Sequence, residues 1–129
     1  MALRYPGLIV GIKTAHFNGP EWKPVEQAVI AGTRANIPVM VDFGRDFPQR
    51  RLEDLLTTEL RAGDIYTHVY SGLRREMTPE GRANPGLVIG RRRGVLFDVG
   101  HGGGSFSWRV ANGIIRDGFL PDTISTDLH

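Results

Sequence analysis

The chain has 129 residues, 40% of them apolar and 23% charged, which fits one globular domain with its own core. It contains no cysteine, which excludes disulfides, thiolate metal sites and cysteine nucleophiles. Its 16 basic and 14 acidic residues give a formal charge of +2, too near balance to indicate a nucleic-acid-binding surface. No apolar run approaches the roughly 20 residues of a membrane span and the first residues show no signal-peptide pattern, so we expect a cytoplasmic protein.

Five short apolar runs predict β-strands. Val, Ile and Leu follow one another in them without strict alternation, as in strands that are buried on both faces. The runs cover residues 8–13, 37–43, 64–69, 94–99 and 122–127, and they recur every 27 to 30 residues, the length of one strand-loop-helix unit. Stretches with apolar residues at helical spacing fill the gaps, at 24–36, 51–60, 85–93 and 106–117.

This alternation predicts an α/β fold with a parallel sheet. Two architectures fit: a five-stranded doubly wound sheet, or part of a (β/α)₈ barrel, which needs about 250 residues. The chain begins almost on a strand and ends on a strand with no closing helix, and both features favour the barrel. We therefore expect residues 1–129 to form a single domain of five β/α units, corresponding to strands four to eight of a TIM barrel.

A side chain that can titrate or bind a metal stands at or near the carboxyl end of every predicted strand. These residues are Lys13, Asp42, His68, His101 and Asp127. Each has an ordinary interpretation when taken alone, since a strand-end Asp often caps a helix and a buried His is often structural. Parallel α/β folds build their sites at this edge, so five such residues together favour a functional site. Carboxylates and imidazoles suit a divalent cation such as zinc, manganese or iron.

A glycine-rich tract, GHGGGS, covers residues 100–105. Glycines around a histidine let backbone N–H groups approach a ligand closely. The tract overlaps the HGGG segment of lipases and esterases, but the sequence has no G-x-S-x-G nucleophile motif. It is not a P-loop either, because no Gly-Lys-Ser/Thr follows. The two remaining histidines, His16 and His129, are interpreted as ordinary residues.

Several segments together resemble the amidohydrolase superfamily. They are VGIK, PVMVDFG, GDIYTHVYSG, GVLFDVGHGGGSFSW and GFLPDTISTDLH. The similarity covers nearly the whole chain and is closest to the C-terminal part of the barrel in the dihydroorotase-like deacetylases. The GDIYTH and FDVGHGGGSF segments and the terminal STDLH are its most specific parts, whereas VGIK alone is weak.

The resemblance implies roles for individual residues. Lys13 matches a strand-end lysine that is often carboxylated and bridges two metal ions. His68 matches a histidine ligand, and Asp127 matches an aspartate that contacts metal and acts catalytically by moving a proton. Backbone donors of the glycine-rich tract would steady an oxyanion. The expected substrate-binding residues are His101, Gly102, Gly103, Ser105 and Tyr70.

Two features depart from the family pattern. Asp42 stands where the family commonly has a histidine ligand, which would favour a different metal, a changed site charge or a mononuclear site. The His-x-His pair of the family's first strand and the helix after its last strand have no counterpart, as in a fragment of a larger enzyme.

The resemblance therefore implies a metal-dependent hydrolase that cleaves an amide, a cyclic amide or an acyl ester with metal-activated water. Its cofactor would be one or two divalent ions, zinc first, with manganese or iron as alternatives. The expected partners are a small-molecule substrate and either a second copy or the remainder of the barrel, without nucleic acid or membrane. The alternative is a catalytically incomplete barrel fragment that only self-associates. A receiver-like domain ranks lower, because Lys13 and His68 stand at the strand ends where such domains carry acidic residues.

Overall fold

The computed structural model describes residues 1–127 and contains four parallel strands in one sheet. They are β1 (Ile12–Thr14), β2 (Val39–Val41), β3 (Ile65–Thr67) and β4 (Leu96–Asp98), and they lie side by side in chain order. The predicted α/β class and parallel sheet are confirmed. Each strand has three residues and is shorter than its apolar run, whose remaining residues lie in the adjoining loops. None of the helices in residues 1–127 is long and apolar enough to cross a membrane.

Helices connect the strands, close to the predicted positions. They are α1 (Lys23–Ala35), α2 (Leu52–Asp54), α3 (Pro85–Arg92) and α4 (Trp108–Arg116), after a short 3₁₀ turn at Ala2–Arg4. Asn84 begins α3, since its side chain accepts a hydrogen bond from the Gly86 N–H at 2.8 Å. The helix predicted over 51–60 is present as α2 and a π-helical turn, Leu55–Glu59, that continues it directly.

The core lies between the sheet and these helices. Strand residues Val39, Val41, Tyr66 and Phe97 are fully buried, and so are Leu55, Leu56 and Leu60 around the π-helical turn. The register places Thr14, Val41, Tyr66 and Phe97 in one row across the sheet. The carboxyl ends of the four strands therefore reach the same edge, where Asp42 and His68 directly follow β2 and β3.

The predicted fifth strand is present only as a single parallel bridge, between Asp98 and Thr123. The segment 122–127 runs along β4, with backbone hydrogen bonds from Val99 N–H to the Thr123 carbonyl at 3.0 Å and from His101 N–H to the Ser125 carbonyl at 2.8 Å. Among residues 1–127 no other segment pairs with its outer side, and Ile124 is 80% exposed. Without burial on both faces, this edge segment does not extend its pairing into a regular strand. His129, the last residue of the STDLH motif, lies outside the described residues.

Candidate functional site

Four of the five strand-end residues come together at the carboxyl edge of the sheet. We call Lys13, Asp42, His68 and Asp127 the His68 cluster. The His68 Nε2 atom lies 3.6 Å from Asp42 Oδ2 and 3.6 Å from Asp127 Oδ2. Lys13 Nζ lies 4.0 Å from the other Asp127 oxygen, Oδ1. The topology thus joins residues from three strand ends and from the segment beyond β4.

The orientation of the His68 imidazole is fixed through its Nδ1 atom. Its Nδ1 atom donates a hydrogen bond to the Gly100 carbonyl at 2.9 Å, because a carbonyl can only accept. The Nε2 atom is thereby left to face the two carboxylates. Burial lowers the pKa of His68, but the Asp42 carboxylate and the Gly100 carbonyl outweigh it and raise this pKa overall. An imidazole fixed through one nitrogen by a carbonyl is the usual arrangement of a metal-binding histidine.

Two residues of the His68 cluster have a strained backbone. His68 has φ +66° and Asp127 has φ +47°, in the left-handed region that side chains other than glycine rarely adopt. His16, on the loop after β1, also lies there with φ +57°. Strained non-glycine residues of this kind collect at functional sites, where the surrounding structure holds them in place.

Asp42 is the most strongly perturbed carboxylate of the site. It is buried, and its Oδ1 atom accepts a hydrogen bond from Arg74 NH2 at 2.7 Å. Its Oδ2 atom faces His68 and lies 3.4 Å from His16 Nε2. Burial raises the pKa of Asp42, but His68 and the Arg74 charge outweigh burial and lower this pKa from 3.8 to about 2.

Arg74 connects the site to a buried polar network beneath it. Glu76, which is fully buried, accepts hydrogen bonds from Tyr66 Oη at 2.9 Å and from the Arg74 backbone N–H at 3.0 Å. Ser71 Oγ donates to the same carboxylate. Arg74 NH1 lies 3.9 Å from Glu76 Oε1, so one guanidinium stands between two buried carboxylates. Burial and the neighbouring Glu76 charge raise the pKa of Tyr66 well above its usual value, which keeps its hydroxyl a donor.

An open cavity of about 580 Å³ adjoins the cluster. Asp42, Arg74, Ser105, His16 and Arg45 are among the residues that line it. This volume is within the range of small-molecule sites.

The expected substrate-binding residues lie in two places: four belong to the glycine-rich tract, and Tyr70 lies in the core. Ser105 lines the cavity, and the His101 ring packs against Phe106 with 4.3 Å between ring centroids. Within the tract, Gly102 N–H donates to the Gly100 carbonyl and Ser105 N–H to the Gly102 carbonyl. Among the described residues, no hydrogen-bond acceptor is seen for the N–H of Gly103.

Tyr70 lies elsewhere than expected. Its side chain is buried, and its hydroxyl donates to the Phe119 carbonyl at 3.3 Å, so it packs in the core and does not line the cavity.

The described residues provide some of the side chains that bind divalent metals, but not a complete set of ligands. His68 Nε2 and the two carboxylates are suitable donors, and ligands about 2.1 Å from a tetrahedral ion lie roughly 3.4 Å apart, close to the distances seen here. Within residues 1–127, however, no group of three or more His, Asp or Glu side chains forms a complete cation site. The cluster therefore provides a partial donor set, and Arg74 already occupies one oxygen of Asp42.

Three residues of this region carry no strong sequence signal. Arg74 is one of 14 arginines and reaches Asp42 across 32 positions of sequence. His16 is interpreted as ordinary from the sequence, yet it lies in the cavity wall. Asp98 ends β4 inside the FDVGHGGG motif, and only its place at a strand end could have singled it out.

Comparison with known proteins gives relatives over almost the whole chain. A deacetylase of Brucella anthropi is 35% identical over 126 residues, and a deacetylase of Agrobacterium fabrum is 34% identical over 126 residues. Each alignment covers 94% of this chain but only 31% and 30% of the respective relative. The chain thus spans about a third of the length of the curated relatives it matches. No protein-family model matches the sequence.

Two solved structures also match nearly the whole chain while the chain covers only about a third of each. A crystal structure of an adenine deaminase superposes with a TM-score of 0.85 at 28% identity, covering 99% of this chain and 36% of that one. A dihydroorotase superposes with a TM-score of 0.81 at 31% identity, covering 99% and 34%. The sheet and helices of this chain correspond to part of a TIM barrel. From its motifs, its relatives and its fold, the chain belongs to the amidohydrolase superfamily.

Proposed function

We propose that this chain carries part of the active site of a metal-dependent hydrolase that cleaves an amide, a cyclic amide or an acyl ester with water. The observation that supports this most is the His68 imidazole, whose Nδ1 is fixed by Gly100 and whose Nε2 faces Asp42 and Asp127. The names of the relatives, deacetylase, adenine deaminase and dihydroorotase, support the same class of reaction.

The residues proposed to hold a divalent metal, zinc first, are His68, Asp127 and Asp42, the last through Oδ2, the oxygen that does not bond to Arg74. Lys13 would join them after carboxylation, since its side chain is 44% exposed and already lies beside Asp127. A divalent cation at this position supplies Lewis-acid activation of water and of the scissile carbonyl. The partial donor set in residues 1–127 means that the proposal requires further ligands, from Lys13 carboxylation or from another segment or copy.

Asp127 is the proposed general base and acid. Water adds to the carbonyl carbon, Asp127 takes its proton, and the same carboxyl group returns the proton to the leaving nitrogen or oxygen as that bond to carbon breaks. Lys13 lies beside Oδ1 of Asp127 and His68 lies beside Oδ2, so each carboxylate oxygen has its own basic neighbour. The Gly103 N–H is the donor proposed to face the developing oxyanion.

The test is hydrolysis by the full chain with and without added Zn²⁺. Candidate substrates are an N-acetyl amino acid, a cyclic dihydropyrimidine amide and p-nitrophenyl acetate, one for each bond type. We expect metal-dependent turnover that Asp127→Asn lowers by about 10²- to 10⁴-fold, the usual contribution of a positioned acid-base group. Glu80→Gln, which removes an exposed carboxylate elsewhere, is the control. Turnover that survives both Asp127→Asn and a chelator contradicts the proposal.

A second role, self-association, is favoured by the apolar surface beside β1. Leu3, Leu8 and Val10 are 75%, 77% and 69% exposed, next to an edge strand that has no neighbour on its outer side among the described residues. Exposed edges of this kind pair with other chains. Sedimentation velocity tests the proposal: a second copy on this face gives a dimer that Leu8→Lys weakens, and a monomer at all concentrations contradicts it.

A further inference from the structure

Asp98, at the end of β4, is a buried carboxylate that the proposed reaction does not use. It is 1% exposed, and three hydroxyl groups donate hydrogen bonds to it at 2.7 Å each. Thr67 and Ser125 donate to Oδ2, and Thr123 donates to Oδ1. No Lys, Arg or His within residues 1–127 forms an ion pair with it. A buried carboxylate retained among neutral donors needs an explanation, because burying it is costly.

The three donors lie directly beside the His68 cluster in the sequence. Thr67 precedes His68, at the end of β3. Ser125 and Thr123 lie two and four residues before Asp127, in the segment that forms only one parallel bridge with β4. One carboxylate therefore connects the strand that carries His68 with the segment that carries Asp127.

Backbone pairing alone holds this segment weakly. The segment 122–127 is exposed along most of its length and has β4 as its one neighbour in the described residues. Its last described residue, Asp127, also adopts a strained backbone conformation with φ +47°. Hydrogen bonds to a charged acceptor are about twice as strong as those between neutral groups. At its start the segment is also fixed by Asp122, whose Oδ2 accepts hydrogen bonds from the Phe97 N–H at 2.7 Å and from Arg91 NH2 at 3.1 Å. Nearer to Asp127, the hydroxyl bonds of Thr123 and Ser125 to Asp98 add the fixation that a regular strand would otherwise provide.

We infer that Asp98 is a positioning residue: through Thr123 and Ser125 it holds Asp127 against His68. The role of Asp98 in catalysis rests on the proposed function, whereas its role in holding the segment that carries Asp127 does not. A carboxylate suits the task because it only accepts, and it can take all three hydroxyl donors at once. An asparagine offers one oxygen and must donate through its nitrogen, so it cannot reproduce the arrangement without turning hydroxyls around.

The test compares two chemically identical substitutions in the same segment. Thr123→Val removes a hydroxyl that donates to Asp98, and Thr126→Val removes a nearby hydroxyl for which no hydrogen bond is seen in residues 1–127. Thr123→Ser retains the hydroxyl and is the rescue variant. The first measurement is amide hydrogen exchange at the His101 N–H, which bonds to the Ser125 carbonyl and reports how firmly the segment is docked. The second is the affinity of the full chain for Co²⁺ alone, followed by visible absorption.

We expect Thr123→Val to speed exchange at His101 by about tenfold, the effect of losing one hydrogen bond to a charged group, and to weaken Co²⁺ binding by a similar factor. Thr126→Val should change both by less than about twofold, and Thr123→Ser should restore both. Asp98→Asn should act in the same direction as Thr123→Val.

Two results would overturn the inference. One is exchange at His101 that is the same in Thr123→Val, Asp98→Asn and Thr126→Val. The other is faster exchange combined with unchanged Co²⁺ affinity, which would mean that Asp127 keeps its position without Asp98. A parent chain that binds no Co²⁺ contradicts the proposed function instead, and the exchange ratios then decide on Asp98 alone.

Discussion

Replacing Arg74 with methionine should destabilise the protein far more than the same change at the neighbouring Arg75. Arg74 is 4% exposed and contacts two buried carboxylates, Asp42 at 2.7 Å and Glu76 at 3.9 Å. Removing one partner of a buried ion pair leaves an uncompensated charge and costs about 3–5 kcal/mol. The Arg75 side chain is 83% exposed where it pairs with Asp46 at 3.1 Å, and such a surface pair contributes about 0–1 kcal/mol.

The loss of stability in Arg74→Met relative to the parent should become smaller at low pH. In the parent protein the pKa of Asp42 is lowered to about 2, so its contribution to stability is present above 3.8 and is lost as the pH falls towards 2. Without the Arg74 charge, the pKa of Asp42 should be higher than in the parent, because burial is then offset only by His68 and the Gly44 N–H. The stability gap between Arg74→Met and the parent should therefore narrow as the pH falls below about 4.

Urea denaturation of the two variants at pH 7 and pH 3.5 measures both effects. A loss of 3–5 kcal/mol is a large part of the roughly 5–15 kcal/mol that stabilises a domain, so Arg74→Lys, which keeps the charge, serves as a milder variant. Equal free energies of unfolding for Arg74→Met and Arg75→Met at pH 7 would refute the reasoning. A gap that widens on acidification would refute the assignment to Asp42.

Three other outcomes follow from the geometry. Acidification from pH 5 to pH 2 should cost the parent protein about 2 kcal/mol through Asp42, and Asp42→Asn should lack this component in urea titrations. Gly100→Ala should lower the free energy of unfolding by about 1–3 kcal/mol, because φ is +53° there and a Cβ would lie 2.5 Å from Nδ1 of His68. Gly103→Ala places its Cβ in open space and should leave the free energy of unfolding unchanged. Equal urea midpoints for the two variants would contradict this prediction. Tyr66→Phe should cost about 1–3 kcal/mol by removing a donor to buried Glu76, and an unchanged thermal midpoint would argue against that network.

The sequence predicts the sheet and its functional edge well, because both depend on local patterns. Apolar runs at regular intervals identify all four strands, and the side chains at their ends fall on one edge for topological reasons alone. Asp42, His68 and Asp127 were recognisable for this reason. The fifth strand was expected from the same pattern but lacks burial on its outer side, and burial is not visible in a run of six residues.

The polar contacts around the site could not be predicted in the same way. Arg74 meets Asp42 through a loop whose conformation has no periodic signal, and Thr123 meets Asp98 across 25 positions. The π-helical turn after α2 is likewise not visible in the sequence, because the leucines at 52, 55, 56 and 60 have the spacing of an ordinary α-helix face. Tyr70 shows the converse, because a residue inside a specific motif packs in the core.

The most direct test of the central claim is a crystal structure of the full chain grown with Zn²⁺, with anomalous diffraction recorded at the zinc edge. The account predicts an anomalous peak about 2.0–2.1 Å from His68 Nε2, with oxygen ligands from Asp127 or Asp42. Zinc bound only at other residues, with His68 Nε2 left facing its carboxylates alone, would contradict it.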